Sequence, residues 1–169
     1  MTTAHSRRNF LRGQLSQPEV PRMRPPGAQM GFTRLCTHCG DCARACPEAI
    51  IIRHESGEPV VDFARGACTF CNACAEACET GALKPAAPDE WPWRATIDAS
   101  CFSLNGVFCR SCEDACEARA IRFRLMTGGR SVPVLDQDQC TGCGECASPC
   151  PAGAIKFEVP RPAAEEKRA

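Results

Sequence analysis

The chain has 169 residues, 16 of them cysteine, and its 20 basic and 20 acidic residues balance to zero formal charge. That cysteine density marks a disulfide or metal protein, and the balanced charge argues against nucleic-acid binding, which draws on a basic excess. The longest aliphatic run is Ile50-Ile51-Ile52, far short of the ~18 apolar residues of a membrane span, and no secretory apolar core of about 7–15 residues follows the basic start.

In chain order, residues 1–29 read as a tail. It holds Ser6-Arg7-Arg8-Asn9-Phe10-Leu11-Arg12, which is similar to a twin-arginine export consensus. The residues that follow, 13–21, are polar and broken by proline, unlike the apolar segment such a signal needs. The chain is therefore expected to stay in the cytoplasm. Met23-Arg24-Pro25-Pro26-Gly27 reads as linker.

Residues 30–87 form a first predicted module. It carries Cys36, Cys39, Cys42 and Cys46, then Cys68, Cys71, Cys74 and Cys78, each group spaced C-x2-C-x2-C-x3-C. A proline-rich linker, 88–93, disfavours continued helix or central strand. The second module, 94–159, carries Cys101, Cys109, Cys112 and Cys116, then Cys140, Cys143, Cys146 and Cys150. The last group has the same spacing; the third is C-x7-C-x2-C-x3-C. Residues 160–169 read as a solvated tail.

The flanks of the groups repeat too. Val60-Val61-Asp62, Thr96-Ile97-Asp98 and Val134-Leu135-Asp136 precede groups. Glu48-Ala49-Ile50, Gly81-Ala82-Leu83, Arg119-Ala120-Ile121 and Gly153-Ala154-Ile155 follow them. Each unit reads as short strand, cysteine loop, brief helix and short strand, repeated four times. The expected fold is α+β, with short antiparallel strands.

Three cysteines at x2 intervals let one loop wrap a corner of a compact inorganic core. Gly40, Asn72 and Gly144 each follow a second cysteine and tolerate positive φ, which turns backbone N–H groups toward sulfur. Arg110 occupies that place in the third group and breaks the pattern. Structural zinc uses two separated C-x2-C pairs, and disulfides would leave the triple spacing unexplained. A radical enzyme would leave one iron short of a ligand, whereas the cysteines here come in complete fours.

The spacing is that of the bacterial ferredoxin [4Fe–4S] run, in which the fourth cysteine of one run ligates the other cluster of the pair. This resemblance implies tandem bacterial-ferredoxin-like 2[4Fe–4S] modules holding four clusters. Cys36, Cys39, Cys42 and Cys78 would hold the first, and Cys68, Cys71, Cys74 and Cys46 the second. Cys101, Cys109, Cys112 and Cys150 would hold the third, and Cys140, Cys143, Cys146 and Cys116 the fourth. The third site is expected to be atypical. Cys101 is read as its ligand because a strand-like Thr96-Ile97-Asp98 precedes it; the alternative is a three-cysteine [3Fe–4S] centre.

Pro47 and Pro151 follow the fourth cysteine as the bacterial pattern expects, but Glu79 and Glu117 stand there in the other groups. They read as tolerated turn-boundary substitutions, or as carboxylates that lower a cluster potential. His38 reads as a solvent-facing loop residue rather than a further ligand. Trp91 and Trp93 read as packing between the modules. No phosphate loop, catalytic triad or flavin fingerprint is present.

The Ser6-Arg7-Arg8 start, Arg24-Pro25-Pro26, the four motifs, the x7 gap and Cys109-Arg-Ser-Cys112-Glu-Asp-Ala-Cys116-Glu together resemble the NapF family of ferredoxin-type proteins from periplasmic nitrate reductase systems. The resemblance implies a cytoplasmic iron–sulfur protein that matures or reduces the precursor of the nitrate reductase catalytic subunit before export. It implies one-electron transfer with no substrate turnover of its own. The twin-arginine-like start would then be a docking element, which an Arg7→Ala, Arg8→Ala variant tests. The alternative is a constitutive electron-transfer subunit of a molybdenum or 2-oxoacid oxidoreductase complex.

Overall fold

A computed structural model of the protein describes residues 22–160. The twin-arginine-like stretch and the C-terminal 164–168 tail lie outside the described residues. The helices are short: α1 (Phe32–Leu35), α2 (Asp41–Ala45), α3 (Ala73–Glu76) and α4 (Ser111–Asp114). Such single turns are not stable alone. The strands are β1 (Ile51–Arg53), β2 (Pro59–Val61), β3 (Arg94–Ile97), β4 (Ile121–Leu125), β5 (Ser131–Leu135) and β6 (Ile155–Glu158).

Three antiparallel pairs result. β1 and β2 form a hairpin with Ile51 opposite Val61, and β4 and β5 form its counterpart with Ile121 opposite Leu135. β3 pairs with β6, Ile97 opposite Ile155. Its first-half equivalent is a single antiparallel bridge between Ala28 and Leu83. Each half thus closes by joining the chain before its first motif to the chain after its second. Along the hairpins alternate side chains turn inward, so Ile51, Val61 and Ile121 are buried.

A repeated aspartate leads each of three strands into its cysteine loop. The N–H groups of Asp62, Asp98 and Asp136 donate to the carbonyls of Ile50, Ala154 and Ala120, each at 2.8 Å. Their carboxylates accept from the N–H two residues on, at Ala64, Ser100 and Asp138. These Asx turns reverse the chain at the mouth of the loop.

The expected brief helix appears within three motifs, ahead of the fourth cysteine, but not within the last. Residues 145–149 form turns there, because Pro149 has no N–H to donate to the Glu145 carbonyl.

Residues 22–29, read as tail and linker, are packed against the first half. The Val61 N–H donates to the Met23 carbonyl at 2.8 Å, and Trp91 Nε1 donates to the Arg24 carbonyl at 3.2 Å. Trp91 and Trp93 are buried in the same core as Phe32, Ile50 and Phe63. Phe63 meets Phe157 of β6 at 4.6 Å between ring centroids, and Trp91 at 6.1 Å edge-on. At the same seam the Cys68 N–H donates to the Cys143 carbonyl at 2.7 Å. The two halves therefore share one apolar seam with a cysteine loop from each side in it.

Candidate metal centres

Four cavities lie under the four cysteine loops, and each is lined by four cysteines. Cys36, Cys39, Cys42 and Cys78 line the first, and Cys46, Cys68, Cys71 and Cys74 the second. Cys101, Cys109, Cys112 and Cys150 line the third, and Cys116, Cys140, Cys143 and Cys146 the fourth. Every cavity takes three cysteines from one motif and the last cysteine of its partner motif. All sixteen sulfurs lie among the described residues and none is in a disulfide.

Local backbone places them. Gly40, Asn72 and Gly144 adopt φ of 84°, 62° and 89° directly after a second cysteine. Arg110 adopts φ −136° instead, so the third loop turns by another route. Its extra residues fold on themselves. The Asn105 side chain donates to the carbonyls of Ala99 and Cys101 at 2.8 and 2.9 Å. Buried Ser103 Oγ donates to the Ser131 carbonyl at 2.6 Å. This returns Cys101 to the cavity, where it is buried.

The linings are apolar. Phe32, Ile52 and Leu83 face the first cavity, and Phe123 and Ile155 the third. Burial pushes the thiols of Cys42, Cys68, Cys74 and Cys112 up to about 11, and Cys146 up to about 12. Neighbouring sulfurs add to the rise, since like charges oppose ionisation. Sites this hostile to bare thiolates suit a core that brings its own positive charge. Cys78 goes the other way. Burial raises its thiol, but the Thr80 hydroxyl and the N–H groups of Leu83, Ala82 and Thr80 outweigh that and lower it. The Ala95 and Ala154 N–H groups donate likewise to the sulfurs of Cys140 and Cys150, at 3.5 and 3.3 Å. Such N–H···S bonds tune cluster potential.

Among the described residues, no three Cys, His, Asp or Glu side chains close on one ion. Sulfurs spread around a cavity, not converged on a point, fit a polynuclear core rather than tetrahedral zinc.

His38 departs from its solvent-facing reading. It lines the first cavity at φ 59°, and its Nε2 is buried with no hydrogen-bond partner. Packing behind it is close, for a β-carbon at Gly57 would come 3.0 Å from the imidazole Nδ1. Glu79 and Glu117 are both exposed. The left-handed residues Ala49, Phe70 and Arg119 were not anticipated. Ala49 and Arg119 sit three places after a fourth cysteine, where Gly81 and Gly153 stand in the other units.

Two dicluster arrays of cysteine around apolar cavities define a ferredoxin-type iron–sulfur protein. Family models for a 4Fe–4S dicluster domain match residues 35–83 and 107–154. The chain carries four [4Fe–4S] clusters, two in each dicluster domain. It is 40% identical to "Ferredoxin-type protein NapF" of Haemophilus influenzae, over 88% of this chain and 91% of that one. It is 39% identical to the protein of that name from Escherichia coli, over 90% and 94% of the two chains. It is also 32% identical to "Methylamine utilization ferredoxin-type protein MauM" of Methylorubrum extorquens, over 85% of this chain and 74% of that one. The chain belongs to the NapF family of ferredoxin-type proteins. Among the described residues no helix is long and apolar enough to cross a membrane.

Proposed function

We propose that this chain is a cytoplasmic electron-transfer and maturation protein, without substrate turnover of its own. It would act on the precursor of the periplasmic nitrate reductase catalytic subunit before export. It is built as two bacterial-ferredoxin-like modules, 30–87 and 94–159, in tandem. The four cysteines lining each cavity are its ligands, Cys101 included, so each cluster draws one thiolate from the partner motif.

The clusters, when bound, supply reversible one-electron chemistry with little movement of the protein. The chain's own part is to order the sites. Cys42 and Cys74 face each other on the packed helices α2 and α3. Cys112 and Cys146 are buried together in one apolar cluster with Ala95, Ile121 and Ile155. Between the halves, the Cys68 N–H donates to the Cys143 carbonyl at 2.7 Å. That last bond carries the reading, because it joins a second-site loop to a fourth-site loop. The sites then run first, second, fourth, third, with the first and third at the ends. The apolar linings exclude water, and the N–H···S bonds favour the ionised sulfurs.

The family names support the nitrate reductase assignment. Anaerobic affinity purification of the tagged holoprotein from cytosol tests it. Coelution of the catalytic subunit with its leader attached is the expected result. Coelution of other redox subunits in fixed ratio, with no precursor, would replace this reading with a constitutive electron-transfer subunit.

A further inference from the structure

The third cysteine loop is longer than its three sisters, and its extra residues are not tucked away. Phe102, Leu104, Val107 and Phe108 are exposed, Phe108 at 80%. At the tip of the adjacent hairpin, Leu125 is 80% exposed and Met126 is exposed as well. Ser103 Oγ bonds the carbonyl of Ser131, and also lies 3.2 Å from its hydroxyl. Ser131 in turn pairs with Leu125. The loop and the hairpin tip are therefore stapled side by side by buried polar bonds.

The charge carried by these two segments is of one sign. Residues 99–112 and 121–135 contain four arginines and no carboxylate. Arg110 is spent on Glu113 at 2.6 Å. Arg130, beside Ser131 at the hairpin tip, is exposed and has no ion-pair partner among the described residues, while Arg122 and Arg124 alternate with Phe123 and Leu125 onto the other face of β4. Directly beneath, Phe102 lines the third cavity beside Cys101 and Cys109.

We propose that this surface is the docking face of a redox protein, through which electrons leave or enter at the third site. An apolar centre with the unpaired Arg130 at its edge, and no carboxylate within these segments, fits a partner face that is apolar at its middle and acidic at its edge. Holding the apolar residues on a stapled loop lowers the ordering cost of binding. The proposal rests on the electron-transfer reading and adds to it the place of contact.

The test uses the holoprotein in anaerobically grown cells, with a photo-crosslinking phenylalanine analogue at Phe108 or, as control, at Met30, which is 99% exposed elsewhere. The expected adduct at position 108 is the nitrate reductase catalytic subunit precursor, with none at position 30. An adduct at 108 with a different, identified cofactor-bearing redox protein keeps the surface and discards the nitrate reductase reading. Precursor captured at 30 and not at 108 keeps that reading and discards the surface. A lipid adduct, an adduct with this same chain, or none at 108 overturns the surface. In purified form, an R130E variant with unchanged cluster absorption is expected to bind the precursor about tenfold more weakly, and with less salt dependence. Wild-type affinity in that variant would overturn the cationic edge.

Discussion

Glu58 is the only buried carboxylate among the described residues, 2% exposed. It accepts from Arg22 Nη1 at 2.9 Å and from Arg24 Nη2 at 3.4 Å, while the Arg24 guanidinium sits 4.8 Å from the Phe32 ring centroid. One carboxylate thus ties the segment at 22–29 to the β1–β2 hairpin. The sequence does not reveal this, because Arg24-Pro25-Pro26 reads as a linker and the partner lies 34 residues on. Glu58→Ala leaves two cations around a vacated buried position. The arginines are partly exposed, so the cost is about 2 kcal/mol rather than the full penalty of a broken buried pair. Anaerobic denaturation followed by cluster absorption checks it, and an unchanged midpoint would refute the tie.

The left-handed positions divide the same way. Gly40, Asn72 and Gly144 are legible because residue type and spacing announce a positive φ together. Ala49, Phe70 and Arg119 are not, because their side chains give no such signal. There the demand comes from closing the loop, not from local preference.

At the scale of elements, the cysteine motifs are highly legible, since their spacing is covalent and short. The pairing of motifs within a half is legible from the known ferredoxin run alone. The crossed sets implied by the same run match the cavities, each of which takes its fourth cysteine from the other motif. Iron counting tests the ligand sets. Cys36→Ala and Cys78→Ala each remove about four irons per chain, and the double variant removes no more. Cys36→Ala with Cys46→Ala removes about eight, since two sites are then broken. If the two doubles lost iron in the opposite order, the crossed sets would be wrong. The missing fourth helix was legible in principle, since Pro149 stands where an N–H is needed. The Asx turns are encoded by the repeated aspartates, although residue type alone does not distinguish such a turn from a helix cap.

For the whole molecule, the seam between halves decides whether four sites act as one series. Trp91 and Trp93 were legible as packing residues; the partner surfaces at Phe63, Phe157 and the Cys143 loop were not, because they lie far apart in sequence. Gly142 is held at φ 76° against the Trp93 carbonyl, with no room for a β-carbon. Phe63→Ala removes the ring that spans Trp91 and Phe157 and costs about 3 kcal/mol. Protease cleavage between the halves should then accelerate, and amide exchange at Cys68 with it. Full protection of that amide would show that the seam does not depend on Phe63.

The shared walls of the cavities also set a timetable for synthesis. If the four cysteines lining each cavity are its ligands, a nascent chain that has delivered Cys36, Cys39 and Cys42 has an unfinished first site until Cys78 emerges, and Cys46 waits for Cys68, Cys71 and Cys74. The second half repeats this between Cys101 and Cys150. With these sets as the ligands, metal loading would be deferred until nearly a whole half has left the ribosome. During each interval the four thiols of the motif already made would be open to dioxygen and to stray metals.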